Sequence, residues 1–158
     1  MMKYFLLYCT LFSLSIFSLS AGADTGDNKD VLLQFFSNIE GDWYEPQQEG
    51  SADSYQLTYA LTDNVVLLTG EAATTDEEGT TWYGIIYAEF KIQDGALFQR
   101  DVQLQIIELL PNKITYSVPP STATTTLSLV DDATLQESFS YESDGEVVEQ
   151  VSVLKRSQ

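Results

Sequence analysis

The side chains that could do chemistry in this chain are carboxylates, tyrosines and a few basic residues. The sequence contains no histidine and one cysteine, Cys9. A Ser-His-Asp triad is excluded because no imidazole can take the serine proton. Cys9 lies in an N-terminal apolar segment that we predict is removed, which leaves no thiolate or imidazole to ligate a metal. We therefore predict neither a metal site nor a cofactor.

Arg100 is the first candidate for a binding residue. In the predicted strand 97–107 it shares the alternating parity of Phe98 and Leu104, which predicts that it points to the apolar side. A buried guanidinium needs a partner, and in a hollow barrel a ligand carboxylate could accept two hydrogen bonds from it. The alternatives are a place at the barrel mouth or an internal ion pair. The acids available for such a pair are Glu71, Glu89 and Glu137.

Aromatic side chains are the second set of candidates for a ligand site. Tyr55 and Tyr59 alternate with polar residues on one strand, and Trp82 shares a face with the small residue Gly84. Buried tyrosine hydroxyls need hydrogen-bond partners, which a ligand or the protein supplies. The alternative is that these rings only fill the core. We predict that Tyr55, Tyr59, Trp82 and Phe98 line the interior, with Arg100 as the polar anchor.

Carboxylates could also support catalysis. Two inward acids among Glu71, Glu89 and Glu137 could act as an acid and a base, as in glycosidases, but the sequence does not fix their separation. We therefore predict a protein that is not an enzyme. The acidic segments 76–78 and 131–132 lack the spacing of a strong calcium loop, and we interpret them as solvated turns.

The N-terminus has the features of a secretory signal peptide. Lys3 is the positive residue, 4–19 is apolar, and Ala21-Gly22-Ala23 is typical of a cleavage site. We predict that residues 1–23 are removed, that 24–29 form a flexible N-terminus and that 30–158 form one domain. Because no second apolar stretch of about 18 residues follows, we predict no integral membrane segment and an exported protein, periplasmic or secreted if the host is bacterial.

The charge balance excludes some partners. The chain carries 7 basic and 24 acidic residues, a formal net charge of −17. Phosphate backbones and anionic membrane surfaces would repel such a protein, so nucleic acid is not an expected partner. A small hydrophobic or amphipathic molecule is the expected ligand.

The apolar pattern changes from helical to strand periodicity near Gly41. Asp30 is expected to cap a short helix with one apolar face, and Gly41 is expected to end it. About nine strands with short turns follow. They are predicted at 43–45, 55–61, 65–73, 81–92, 97–107, 114–118, 125–130, 135–141 and 147–154.

This order predicts an all-β protein. Consecutive strands with hairpin turns and no intervening helices favour an antiparallel meander. A flat meander would expose two edges, whereas closure into an up-and-down barrel of about eight or nine strands removes them.

A short helix followed by Gly41-Asp42-Trp43 resembles the opening of the lipocalins and the wider calycin superfamily. The match is better to small bacterial lipocalin-like families of unknown function than to the transport lipocalins. The resemblance implies that Trp43 plugs one barrel end and that a basic residue of the last strand packs over its ring. Arg156 is the first candidate for this position and Lys155 the second.

These observations lead to one functional hypothesis and two alternatives. The chain is expected to be an exported lipocalin-like barrel that binds a small apolar or amphipathic molecule, with an anionic group as one option for its polar end. One alternative is a filled barrel that acts through its surface as a structural or protein-interaction module. The other is a carboxylate-dependent enzyme, which needs two inward acids with raised pKa values in one pocket.

Overall fold

The computed structural model describes residues 25–47, 53–76 and 78–157. The predicted signal peptide, 1–23, lies outside these ranges. One helix, α1 (Thr25–Asn38), precedes eleven strands. The strands are β1 (Gly41–Tyr44), β2 (Ser54–Thr62), β3 (Val65–Thr75), β4 (Thr81–Gln93), β5 (Ala96–Gln99), β6 (Val102–Gln103), β7 (Gln105–Leu110), β8 (Lys113–Ser117), β9 (Thr124–Asp131), β10 (Thr134–Ser143) and β11 (Glu146–Arg156).

All eleven strands belong to one antiparallel sheet. Its order is β6-β5-β4-β3-β2-β1-β11-β10-β9-β8-β7, so that strands adjacent in the chain pair with each other, except β6 and β7 at the two ends of the sheet, and β1 pairs with β11. Only Leu104 separates β6 from β7, and its N–H donates to the Leu97 carbonyl at 2.8 Å. The two ends of the sheet therefore meet, and the fold is a nearly closed antiparallel barrel with one N-terminal helix, as predicted.

The strand count differs from the prediction because one predicted strand is broken. The segment 97–107 contains parts of β5, β6 and β7, and Arg100 and Asp101 have φ angles of 49° and 65°. Two consecutive left-handed residues reverse the chain, as they do in a tight hairpin. The other predicted strands differ from the observed ones only at their ends.

The helix begins earlier than predicted. It starts at Thr25, so Asp30 lies inside it and does not cap it, and 25–29 are helical. The expected apolar face is buried, with Leu32, Phe35, Phe36 and Ile39 all at most 1% exposed. The helix contacts β2, β4, β5 and β7, strands from different parts of the wall, and therefore closes one end of the barrel.

The core is concentrated at this closed end. Phe36 of α1 stacks on Phe90 of β4 with ring centroids 6.3 Å apart, and Phe90 meets Tyr116 of β8 edge-on at 6.0 Å. The remaining buried apolar side chains around them include Leu57, Val66, Ile92, Leu97, Leu104, Ile114, Leu127, Leu135 and Leu154. The interior next to the helix is therefore filled.

Trp43 joins the helix to the first and last strands. Its Nε1 donates to the Ile39 carbonyl at 2.8 Å, and Arg156 lies over its ring with Cζ 4.3 Å from the centroid. The Arg156 guanidinium also donates to the carbonyls of Asp132, Glu40 and Asn38. Lys155 takes no part in this arrangement, and its Nζ instead donates to Thr134 Oγ1 at 2.8 Å.

Candidate functional site

The half of the barrel away from the helix is open. We call the interior of this half, between the far parts of β2–β4 and of β10–β11, the open half. Every second residue of these strands points inward, and this alternation continues without a break from the core to the far end. The inward positions there are half-buried rather than buried, and they are Tyr55, Ala72, Ile86, Glu137, Phe139 and Ser152. The inward side chains of this half are therefore more exposed than those at the closed end.

Tyr55 and Glu137 meet inside the open half. Tyr55 has the inward parity of Leu57 and Tyr59 on β2, and Glu137 has that of Leu135 on β10. The Tyr55 hydroxyl donates to Glu137 Oε2 at 2.7 Å. The hydrogen bond therefore connects β2 to β10, which are separated in the sheet by β1 and β11.

Burial controls the protonation of this pair. Desolvation raises the pKa of Glu137 above its ordinary value of 4.5, and the nearby Glu45 raises it further, whereas the hydrogen bond from Tyr55 lowers it. Burial, followed by the charge of Glu137, raises the pKa of Tyr55 far above 10.0. The Tyr55 hydroxyl therefore keeps its proton and acts as a donor.

Tyr59 carries the least satisfied polar group of the described chain. Its side chain is 2% exposed, and its hydroxyl has no hydrogen-bond partner among the described residues. Burial, followed by electrostatic interactions with Glu137, Tyr116 and Tyr55, raises its pKa, so the hydroxyl keeps its proton. An unsatisfied buried hydroxyl costs about 1–3 kcal/mol. A ligand acceptor could remove this cost.

Glu45 adds a second carboxyl group to the site. It follows β1 with the inward parity of Trp43, and its backbone N–H donates to the Tyr55 carbonyl at 2.9 Å. A concavity of about 360 Å³ lies beside it, between the end of β1 and the start of β2. The described residues that line this concavity are Tyr44, Glu45, Gln47, Ser54, Tyr55 and Gln56. Glu45 and Tyr55 are therefore the residues of the site that line this concavity at the end of β1.

The basic residues of the described chain lie elsewhere. Lys29 lies in α1, Lys91 and Arg100 are exposed, and Lys113 forms an ion pair with Glu108 at 2.6 Å. Lys155 points to the outer face of β11 and donates to Thr134. Arg156 is held at the closed end over Trp43. The potential of the open half is therefore set by carboxyl groups, and it favours a neutral or cationic group over an anion.

Two of the five predicted ligand residues lie together at this site. Tyr55 donates a hydrogen bond to Glu137, and burial, followed by the charge of Glu137, raises the pKa of Tyr59. Trp82 has the inward parity but lies near the end of the β3–β4 hairpin, where it is 49% exposed and donates to Asp76 Oδ2 at 3.2 Å. It does not belong to the Tyr55–Glu137 cluster.

The predicted inward orientation of Arg100 and Phe98 is wrong. Arg100 lies in the turn between β5 and β6 and is exposed, because the reversal of the chain there ends the alternation on which its inward orientation depended. Phe98 pairs with the exposed residues Lys91 and Gln103, and directly paired residues share a face. It is therefore on the outer face, and Leu97 is the buried residue of β5.

Two residues of the site were missed by the sequence analysis. The position of Glu45, two residues after Trp43, predicts the same inward orientation. The following Pro46, however, is typical of a strand end rather than of a binding site. Tyr116 follows Ile114 with the same parity on β8 and is buried. Of the three candidate acids, only Glu137 faces the interior, whereas Glu71 and Glu89 are exposed on the outer face.

The acidic turns have structural roles in the described chain. Asp76 Oδ1 accepts hydrogen bonds from the N–H groups of Glu78 and Thr80, and Asp131 Oδ1 accepts one from Ala133. These contacts lower the pKa of both carboxyl groups, that of Asp76 chiefly through Thr80 and that of Asp131 chiefly through Ala133. Within residues 25–47, 53–76 and 78–157, no three potential metal ligands come together.

Comparison with known proteins does not identify this chain, since neither a protein-family model nor a curated protein matches it. Among the described residues, α1 falls short of the length and apolar character that a membrane-crossing helix needs.

Proposed function

We propose that this chain is an exported, lipocalin-like barrel protein that binds one small amphipathic molecule in its open half. The observation that carries the proposal is the unpartnered, buried hydroxyl of Tyr59 beside the Tyr55–Glu137 hydrogen bond. Buried polar groups in proteins are nearly always paired, and an exception calls for an explanation. A ligand whose polar group reaches Tyr59 supplies the missing acceptor.

The polar group of this ligand is neutral or cationic. An alcohol, an amide or a carbonyl can accept a hydrogen bond from the Tyr59 hydroxyl, and an ammonium group can donate to the Tyr59 oxygen and pair with Glu137. An anion would meet Glu137 and Glu45 in a partly desolvated space, where like charges repel strongly. The anionic ligand anchored by Arg100 is therefore not part of the proposal.

The apolar part of the ligand is expected to lie toward the open end. Phe139 and Tyr141 present adjacent rings there, with centroids 5.5 Å apart, and Ile86 and Ala72 face inward from the other wall. Burial of apolar surface contributes roughly 25 cal/mol per Å², so a short alkyl or aromatic group is enough for measurable affinity. The small side chain at Ala72 leaves room for it.

The proposed mechanism is passive binding. The filled-barrel alternative fits the closed end, where aromatic side chains fill the interior, but the open half is lined by half-buried residues. The enzyme alternative requires two inward acids among its three candidates, and Glu71 and Glu89 face outward. In the proposed binding role, Glu137 serves as a polarised hydrogen-bonding group.

A headgroup series tests the proposal. Isothermal titration with dodecylamine, dodecanol and dodecanoate, below their aggregation limits, compares a cationic, a neutral and an anionic headgroup on one tail. We expect dodecylamine to bind at least as tightly as dodecanol, and dodecanoate about tenfold or more weakly. Either no binding of any probe or a preference for dodecanoate would contradict the proposal.

Two variants distinguish the effect of the Glu137 carboxylate on ligand preference from the effect of the overall net charge. Glu137→Gln removes the carboxylate of the site and should reduce the preference for dodecylamine over dodecanol. Glu71→Gln is the matched control, because it removes the same charge from the outer face of β3 and should leave that preference unchanged. An equal effect of both substitutions would assign the preference to the overall charge and overturn the role of Glu137.

A further inference from the structure

One strand of the barrel has an unpaired edge. Within the described chain, Thr81–Gln93 pairs with β3 over 81–91, but β5 pairs with it only from Phe90 to Gln93. The part of β4 from Thr81 to Glu89 therefore has a strand on one side only. We call this part the β4 edge. An exposed edge of nine residues can pair with another extended chain.

The backbone groups available at this edge follow from the strand geometry. Ile92 N–H donates to the Asn64 carbonyl, on the β3 side, at 2.7 Å. Backbone groups alternate sides along a strand, so those of odd-numbered residues point away from β3. The N–H and C=O groups of Tyr83, Ile85 and Tyr87 therefore face the open side of the β4 edge.

The outer face of the edge is unusually apolar for an exposed surface. Tyr83 is 82% exposed and Ile85 is 88% exposed, and Tyr87 is exposed beside them. Glu89 is the one charged residue between Thr81 and Glu89 in a chain with a formal net charge of −17. Exposed apolar edges without charged residues are what proteins avoid unless the edge is covered.

From these features we infer that the β4 edge pairs antiparallel with the β4 edge of a second copy of this chain, about a two-fold axis at Ile85. The edge runs from Thr81 to Glu89, because β5 occupies the next position, and Ile85 is its midpoint. A two-fold axis there pairs the whole edge with itself. The interface is isologous and closes as a dimer. This inference is independent of the proposed ligand site.

The sequence of the edge is self-complementary in this register. On the outer face, Tyr83 lies opposite Tyr87 of the second copy, and Ile85 lies opposite Ile85. Aromatic and β-branched cross-strand pairs of this kind each contribute to sheet stability. A shift by one residue would place inward side chains opposite outward ones and would lose these pairs.

The inner face is complementary in size. Trp82 lies opposite Ala88 of the second copy, and Gly84 lies opposite Ile86, so that a large side chain meets a small one in each pair. The barrel itself does not require the glycine, since a Cβ at Gly84 would meet only the Ala72 carbonyl, at 4.0 Å. Space for Ile86 of the second copy explains the glycine.

Charge predicts how salt affects the dimer. Two copies of an acidic chain repel at long range, whereas the interface contains mainly uncharged residues. The screening length falls from about 10 Å at 0.1 M salt to about 3 Å at 1 M. Added salt should therefore strengthen the dimer, the opposite of an association held by ion pairs.

Sedimentation velocity of the purified protein tests the inference. We expect a reversible monomer–dimer equilibrium that moves toward dimer with protein concentration and with sodium chloride. Ile85→Lys places two ammonium groups together at the axis and should weaken the association at least about tenfold. Val147→Lys is the matched control, because Val147 is 76% exposed on the outer face of β11 and lies outside the interface.

Amide hydrogen exchange identifies the edge. In the dimer, the N–H groups of Tyr83, Ile85 and Tyr87 should exchange more slowly than in the Ile85→Lys monomer, while those of Gly84 and Ile86 change little. A wild type that stays monomeric at all concentrations and salts overturns the inference. So does a dimer that Val147→Lys disrupts and Ile85→Lys does not, or one whose odd-numbered edge amides stay unprotected. Circular dichroism and thermal melting verify that both variants fold.

Discussion

Tyr55 on β2 and Glu137 on β10 are joined by a 2.7 Å hydrogen bond although 82 residues separate them in the chain. The bond crosses the interior at the boundary between the filled end and the open half. It holds a carboxyl group next to the unpartnered hydroxyl of Tyr59. The polar centre of the barrel is thus built from side chains of β2 and β10, which β1 and β11 separate in the sheet.

The first prediction concerns the pH dependence of stability. Burial raises the pKa of Glu137 in the folded protein above 4.5, so ionisation of this group opposes folding. The stability associated with protonated Glu137 is fully present below 4.5 and is lost as the pH rises through the folded pKa. We expect Glu137→Gln, whose amide still accepts from Tyr55, to unfold at higher urea concentration than wild type at pH 7.

The control for this prediction is the same comparison at a pH below 4.5. There the advantage of Glu137→Gln should disappear, because Glu137 is protonated in both the folded and the unfolded wild type. Comparing the two proteins at each pH cancels the other carboxyl groups. An advantage that is equal at both pH values would contradict the raised pKa.

The second prediction is that removal of the Tyr59 hydroxyl raises stability but weakens ligand binding. Tyr59→Phe removes a buried hydroxyl without a partner, so it should raise the free energy of unfolding of the ligand-free protein by about 1–3 kcal/mol. The same substitution should weaken binding of dodecanol, which uses that hydroxyl. Urea unfolding and calorimetric titration measure the two effects. A destabilised Tyr59→Phe protein would show that the hydroxyl has a partner in the fold.

The third prediction concerns the closed end. Arg156→Ala removes a cation–π contact with Trp43 and hydrogen bonds to three backbone carbonyls, and should cost about 2–4 kcal/mol of unfolding free energy. Arg156→Lys should recover only part of this, because an ammonium group cannot match the planar arrangement of donors.

Lys155→Ala is the control for Arg156, since the Lys155 side chain lies on the other face of β11 and donates to Thr134 Oγ1. It should cost less than about 1 kcal/mol. Equal losses from Arg156→Ala and Lys155→Ala in urea unfolding would contradict the structural role of the Trp43 contact.

The fourth prediction compares two glycines. A Cβ at Gly70 would lie 2.4 Å from the Gln56 carbonyl oxygen and 2.7 Å from Leu57 Cδ2. Gly70→Ala should therefore destabilise the barrel by about 1–3 kcal/mol, as overpacking does. Gly84→Ala meets no such obstacle and should leave the melting temperature of the monomer unchanged or higher. Equal effects of the two substitutions would argue against the close approach of β2 to Gly70.

Much of the fold could be predicted from alternation because strands with one buried face repeat every second residue. The break at Arg100 and Asp101 could not, since positive φ is uncommon for an arginine and no glycine marks a turn there. The wrong orientation of Arg100 and Phe98 follows from that single break. The early start of α1 was missed because residues 25–29 are polar.

The site could be predicted only in part. Parity alone places Tyr55, Tyr59 and Glu137 on inward faces, but which inward residues meet depends on the stagger of the strands around the barrel. The sequence does not define this stagger, so the Tyr55–Glu137 contact and the approach of Glu45 appear only in three dimensions.

Native mass spectrometry of the protein purified from its own host, followed by denaturation and identification of what is released, tests the central claim most directly. We expect one small molecule to be released per chain, with an apolar part and a neutral or cationic polar group. Wild type and Glu71→Gln should retain it, and Tyr59→Phe and Glu137→Gln should retain less. An anionic molecule, or equal retention by all four proteins, would contradict a ligand site at Tyr59 and Glu137.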